Sequence, residues 1–267
     1  MAGPDSDWSP DQYLRFADHR LRPALELLQR IGVGAAETVY DLGCGPGQVT
    51  KLLAERWPDA RVCGVDHSEA MLARARAAHP NLAFTCGDLT HWVPDAPADV
   101  LYSNAALHWA PNHQRLLPRL IGALRPGGCL AVQMPRSWSQ PSHQLMRETL
   151  ARGGPDGGPL GTEGLRQALA EPPVLGPGDY FELLAGRAAA LDIWETEYQQ
   201  VLEGEDAVLE WVRGTGLRPI LQALDGAALD QFMTRYRQAL RAAYPPAADG
   251  RTLYPFRRLF LVATVHR

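Results

Sequence analysis

Between Thr38 and Met134, short apolar runs alternate with stretches of helical periodicity, and this alternation is the strongest constraint on how the chain can fold. Strands are expected at Thr38–Gly43, Arg61–Asp66, Leu82–Cys86, Asp99–Asn104 and Gly128–Met134. Val49–Trp57, Glu69–Ala78 and Asn112–Leu124 carry apolar residues at i, i+3 and i+4, which predicts crossover helices between them. Strands separated by helix-length crossovers pair in parallel, so the pattern specifies βα units and a parallel sheet. Gly127-Gly128 reads as the stop of the last crossover helix.

The rhythm changes after Pro135. Residues 141–177 are rich in Gly and Pro, with Gly-Gly-Pro-Asp-Gly-Gly-Pro at 153–159, and predict a loop-linked helical insertion. Ile193–Leu202 reads as a strand, Asp206–Thr215 and Ala227–Tyr244 as helices, and Phe256–His266 as a final strand that extends the sheet in antiparallel sense. The expected division is an N-terminal helical segment or lid (1–35), a ligand-binding core (36–135), a helical substrate lobe (136–256) with a sheet-completing strand near 193–202, and a terminal strand (257–267).

A chain of 267 residues with 46% hydrophobic and 21% charged residues can bury a full core, which argues against a disordered or fibrous protein. The net charge of -4 is spread along the sequence without a long run of one sign, so neither nucleic acid nor a membrane surface is indicated as a partner. Cys44, Cys63, Cys86 and Cys129 lie in or beside apolar strands without a C-x-x-C pair, and read as buried free thiols rather than a zinc site or a disulfide framework. The N-terminus lacks the basic-then-apolar pattern of a leader, and a cytoplasmic protein is expected.

The chemistry is concentrated at the strand ends. Val39-Tyr40-Asp41-Leu42-Gly43-Cys44-Gly45-Pro46-Gly47 is a strand running into a glycine-rich turn and then a helix, and such glycines let a backbone approach a ligand closely. A dinucleotide fingerprint would need glycine at 48, where Gln48 stands. Asp66 closes the next strand, where an acid can accept both hydroxyls of a ribose or serve as a turn former beside the helix-capping Ser68. Cys86-Gly87-Asp88-Leu89 ends the third strand, and Ser103-Asn104-Ala105-Ala106-Leu107-His108-Trp109 follows the fourth.

The G-x-G-x-G loop preceded by an acid resembles the first motif of class I S-adenosylmethionine-dependent methyltransferases. Further segments resemble the trans-aconitate 2-methyltransferase family. They are Asp7-Trp8-Ser9-Pro10 with Tyr13 and Arg20-Leu21-Arg22-Pro23, Gln133-Met134-Pro135 with Trp138, Pro141, His143 and Leu145-Met146-Arg147-Glu148, Trp211-Val212 with Thr215-Gly216-Leu217-Arg218-Pro219, and Arg258–Ala263. The resemblance implies a Rossmann-like α/β fold: a seven-stranded, mostly parallel sheet with helices on both faces and a helical cap over its C-terminal edge. It implies S-adenosylmethionine as cofactor, with Asp41, Gly43, Gly45, Gly47, Asp66, His67, Asp88, Leu89 and Asn104 binding it and no metal.

In that family the acceptor is a carboxylate, whose reference pKa near ~4 leaves it ionised at neutral pH, so no general base is required. His108 then has an orienting rather than an obligatory catalytic role, and some family members carry Gln there. The protein's task is to hold a polyanion, for which arginine forks are suited. The substrate-binding candidates are Tyr13, Arg20, Arg22, His108, Trp109, Trp138, Arg147, Arg218 and Arg258. A small-molecule polycarboxylate is the expected partner, handled by a monomer or weak homodimer. Three other readings stand beside this one: a methyltransferase for another small acceptor, a nicotinamide oxidoreductase, and a non-catalytic binding protein.

Overall fold

The structure, a computed structural model, describes residues 21–267; Trp8, Tyr13 and Arg20 lie outside the described residues. Seven strands form one sheet: β1 (Thr38–Leu42), β2 (Arg61–Asp66), β3 (Ala83–Cys86), β4 (Ala98–Asn104), β5 (Leu124–Pro135), β6 (Ala190–Leu202) and β7 (Thr252–Thr264), in the order β3-β2-β1-β4-β5-β7-β6. The first five run parallel, with Leu42 opposite Val65, Asp41 opposite Tyr102 and Asn104 opposite Gln133. β1, β2, β4 and β5 are buried nearly throughout, as strands covered on both faces must be. The edge strand β3 is largely exposed and the other edge strand, β6, is half-buried along much of its length.

Helices α1 (Arg22–Gln29), α2 (Gln48–Arg56), α3 (Glu69–Ala78) and α4 (His113–Gly122) belong to this layer. The order reverses between β1 and β4, so right-handed crossovers place helices on both faces. β7 is antiparallel to β5: Val265 N–H donates to Gly128 O and Gly127 N–H to His266 O, while Arg136 N–H donates to Arg257 O at the other end.

Two expectations need correction. α4 ends at Gly122, and Gly127-Gly128 lies inside β5, where the register jumps from Ala98↔Leu124 to Val100↔Cys129. The glycine pair therefore serves a bulge, with Gly127 at φ 78°, and not a helix stop. Cys44, Cys63 and Cys129 are buried, but Cys86 is exposed, because β3 is an edge strand with no neighbour on its outer side.

The described chain divides into two compact units. The first holds the residues up to Pro135 with Val174–Thr196 and Leu259–Arg267, including α7 (Pro177–Leu184). The second holds Arg136–Pro173 and Glu197–Arg258. It contains α5 (Pro141–Arg152), α6 (Glu163–Ala168), α8 (Ala207–Arg213), α9 (Arg218–Ala223) and α10 (Gly226–Ala243), and has its own core around Phe232, Tyr236 and Tyr254.

The entry into β1 is fixed by one carboxylate. Asp99 Oδ2 accepts the N–H groups of Glu37 and Thr38, both at 2.8 Å, and Arg125 stands 3.4 Å away. Asp99→Ala leaves two backbone donors without their acceptor and is expected to cost about 1–3 kcal/mol. Urea denaturation measures the loss, and Asp99→Asn, which keeps one amide oxygen, should recover part of it.

Candidate functional site

Parallel strands deliver their carboxyl ends to one edge of the sheet, and a ligand binds where the strand order reverses. Here that point lies between β1 and β4. After β1 the backbone turns sharply: Gly43 N–H and Cys44 N–H both donate to Val65 O, at 2.7 and 3.1 Å. Gly43 has φ 77°, and a Cβ on it would collide with the Ala106 methyl group. Glycine is required there by conformation and by space. Gly47, at φ 84°, leads into α2, and Gly45 has open space where a side chain would be.

Asp66 fastens this loop to β2. One carboxylate oxygen accepts Gly45 N–H at 2.9 Å and the other accepts Ser68 N–H at 2.9 Å, while the exposed His67 ring lies 3.5 Å away. Asp41 is buried and accepts a hydrogen bond from Thr50 Oγ1 at 2.7 Å. Burial pushes its carboxyl up to about 7, against the lowering effect of the Thr50 bond and with a further rise from the Asp66 charge. A cation beside Asp41 would relieve that burden.

Asp88 is exposed, and its carboxyl is held below the usual range by hydrogen bonds from Thr90. Leu89 lies near Gly43. At the end of β4, Ser103 Oγ donates to Leu42 O at 2.9 Å, tying the two central strands together. Asn104 Oδ1 is buried without a hydrogen-bond partner among the described residues, an acceptor placed at the strand end for something else to satisfy. Ala105 then takes φ 53°, and a short 3₁₀ turn carries His108 and the exposed Trp109, whose rings pack 4.8 Å apart.

A buried relay that the sequence did not reveal fixes that turn. His113 Nε2 lies 2.9 Å from Leu107 O and Nδ1 lies 2.6 Å from Tyr180 Oη, while Leu175 N–H donates to the same tyrosine oxygen. A carbonyl can only accept, so Nε2 carries the proton and Nδ1 accepts from Tyr180. Burial lowers the pKa of His113 and keeps it in this neutral form.

The first unit thus brings together Asp41, Gly43, Gly45, Gly47, Asp66 and the residues after β4. Arg22 stands on α1, paired with Glu26 at 2.7 Å. The remaining arginine candidates among the described residues belong to the second unit. Arg147 lies with its guanidinium 4.5 Å from the Trp138 ring centre and donates to Trp138 O at 3.0 Å. Arg218 is exposed at the start of α9, and Arg258 is buried against Phe256 and Tyr198. Among the described residues, no group of three or more His, Cys, Asp or Glu side chains is placed to hold a metal ion, and no helix is long and apolar enough to cross a membrane.

A family model described as a methyltransferase domain matches residues 39–128. The chain is 49% identical over 256 residues to the trans-aconitate 2-methyltransferase of Azoarcus sp. (strain BH72), covering 96% of this chain and 98% of that one. It is 45% identical over 267 residues to the trans-aconitate 2-methyltransferase of Pseudomonas paraeruginosa (strain DSM 24068 / PA7), covering 100% and 97%. The chain belongs to the trans-aconitate 2-methyltransferase family. Membership sets aside the nicotinamide reading, and the match runs through both compact units. Phosphoethanolamine N-methyltransferase 2 of Haemonchus contortus, solved in complex with S-adenosyl-L-methionine, has the same fold, with a TM-score of 0.53 at 17% identity over 92% of this chain and 53% of that longer one.

The raised pKa of Asp41 gives this family member a pH signature. A folded-state value of about 7 against an ordinary 3.8 means that the folded chain binds the proton more tightly than the unfolded one. Asp41 therefore stabilises the ligand-free fold at acid pH, and that contribution is lost as pH rises from about 4 through about 7. Asp41→Asn, which cannot ionise, should match wild type at or below about pH 4 and exceed it above pH 7, by an amount on the order of 1–4 kcal/mol. Thermal unfolding of the two ligand-free proteins across that range measures the difference.

Proposed function

We propose that the chain transfers a methyl group from S-adenosylmethionine to a carboxylate of trans-aconitate, giving the monomethyl ester and S-adenosylhomocysteine. The observation that carries this reading is identity of 45–49% with trans-aconitate 2-methyltransferases over nearly the whole of both chains. The site residues fit the cofactor: a glycine turn open at Gly45, a buried carboxyl at Asp41 suited to an ammonium, and an unsatisfied acceptor on Asn104.

S-adenosylmethionine, when bound, supplies an electrophilic sulfonium methyl group. Asp41 holds the ammonium of its amino-acid end, Gly43, Gly45 and Gly47 wrap that end, Asp66 with His67 takes the ribose hydroxyls, Asp88 and Leu89 take the adenine, and Asn104 accepts at the methionine end. The acceptor carboxylate is already ionised, so His108 and Trp109 orient it, and rate comes from positioning in a water-poor site. Trp138, Arg147, Arg218 and Arg258, with Tyr13, Arg20 and Arg22, recognise the non-reacting carboxylates. Residues 1–35 act as a lid and 136–256 as the substrate lobe. The enzyme works in the cytoplasm on a free polyacid, as a monomer or weak homodimer, without nucleic acid, membrane or metal.

Incubation with labelled S-adenosylmethionine and a panel of di- and tricarboxylic acids, read by mass spectrometry, tests the assignment. Trans-aconitate monomethyl ester should be the best product; preference for an acceptor without a carboxylate would replace the reading with another small-molecule methyltransferase.

Asp66→Ala removes a charged hydrogen-bond acceptor and should weaken S-adenosylhomocysteine binding by about 1–3 kcal/mol in a calorimetric titration. Unchanged affinity would take Asp66 out of the site. Turnover should survive a chelator, and His108→Gln should stay within about tenfold of wild type; a drop of ~100-fold or more, typical of a lost acid–base group, would mean that the reaction needs a proton acceptor.

A further inference from the structure

Helix α5 of the second unit holds one residue with unusual thoroughness. Ser142 is fully buried, and every polar group it has is engaged. Its N–H donates to Tyr244 Oη at 3.0 Å, its carbonyl accepts from Tyr236 Oη at 2.9 Å, and its Oγ meets Tyr254 Oη at 3.1 Å and His143 Nδ1 at 3.2 Å. Three tyrosines converge on a serine whose one further side-chain hydrogen-bond partner among the described residues is the imidazole of His143.

Hydrogen-bond accounting fixes the direction of this relay. Burial, with the charge of Arg147 adding to it, pulls the His143 pKa down to about 4, so the ring is neutral near pH 7 and carries one N–H. If that proton were on Nδ1, it would go to Ser142, the serine would donate to Tyr254, and the buried tyrosine proton would have no acceptor. In the opposite direction Tyr254 donates to Ser142 and Ser142 donates to Nδ1, and the one proton left over sits on Nε2 of the half-buried ring rather than on the fully buried tyrosine. The relay therefore sets His143 as the Nε2–H tautomer and leaves that donor without a partner among the described residues.

The Gly216 backbone approaches this unpartnered Nε2 closely. A Cβ on Gly216 would come within 2.9 Å of Nε2 and 3.5 Å of Met146 Cε. Gly216 is not among the residues with positive φ, so its backbone does not call for glycine; the space does. Arg147 lies one turn along α5, on the same face as His143. Its guanidinium is stacked on Trp138 and spends one N–H on the Trp138 carbonyl, and among the described residues no carboxylate pairs with it. The Trp138 ring lies 6.1 Å from the His143 ring.

We propose that His143 Nε2–H and the guanidinium of Arg147, walled by Trp138 and Gly216, form a carboxylate-binding subsite for a non-reacting carboxylate of the acceptor, with His143 as a specificity residue. The proposal rests on the polyacid reading above. It assigns the donor pairing to a neutral imidazole beside a fixed cation, a combination that reads one carboxylate through two different kinds of N–H group.

The test pairs kinetics with a direct readout of the ring. His143→Phe should raise KM for trans-aconitate about tenfold or more while leaving the S-adenosylmethionine KM within about twofold, as expected for losing a hydrogen bond to a charged group. His143→Gln, which keeps an N–H near Nε2, should recover most of the loss, and Gly216→Ala, which sets a methyl group directly against Nε2, should reproduce the His143→Phe effect. Unchanged trans-aconitate KM in His143→Phe and Gly216→Ala, with normal S-adenosylhomocysteine affinity showing that both are folded, overturns the subsite. Independently, ¹⁵N-histidine NMR of the wild-type S-adenosylhomocysteine complex should show the His143 titration midpoint rising by about one pH unit or more on adding trans-aconitate or its saturated analogue tricarballylate. A response to these acids without turnover keeps the subsite and removes the trans-aconitate reaction; turnover without any response does the reverse.

Discussion

The carboxyl edge of the sheet depends on how closely the backbone leaving β1 passes the backbone leaving β4. Gly43 and Ala106 are near enough that one added methyl group would force them apart. That approach lets Ser103 Oγ reach Leu42 O, lets Gly43 and Cys44 share the Val65 carbonyl, and leaves Asp66 within reach of Gly45. The acid at the end of β2 thus comes to bear on the turn that leaves β1. The cost is a buried carboxyl at Asp41 whose ionisation is opposed by burial.

Much of the core was legible because buried parallel strands read as continuous apolar runs and their ends carry glycine and acid. β2 and α3 match their expected limits, and the other core strands and helices differ by small shifts at their ends, apart from the earlier start of β5 and the earlier end of α4. Gly127-Gly128 misled because a glycine pair after a helix and one inside a bulge look alike in sequence; pairing with β4 decides between them. Cys86 misled because the alternation that marks an edge strand is too brief over four residues to separate it from a buried one.

The supporting groups were less legible. Thr50 lies in the first turn of α2 with nothing in the sequence to mark it as the partner of Asp41. His113 and Tyr180 are joined across 67 residues, and Ser142 meets Tyr236, Tyr244 and Tyr254 across about a hundred. Such contacts are set by how elements pack, and local periodicity carries no information about them. His143 was visible only as part of a family-like segment; its tautomer follows from where the Tyr254 hydroxyl ends up.

β7 lies between β5 and β6 in the sheet although it is the last strand in chain order. While the ribosome is still making the chain, β5 therefore has a bare flank: Cys129–Met134 are fully buried in the finished fold, yet their outward N–H and C=O groups wait more than a hundred residues for a mate. An open, apolar strand edge is an invitation to pair with a neighbour of the same kind. Nascent chains on one message would meet in that state, and damage to the final strand would leave every copy permanently in it.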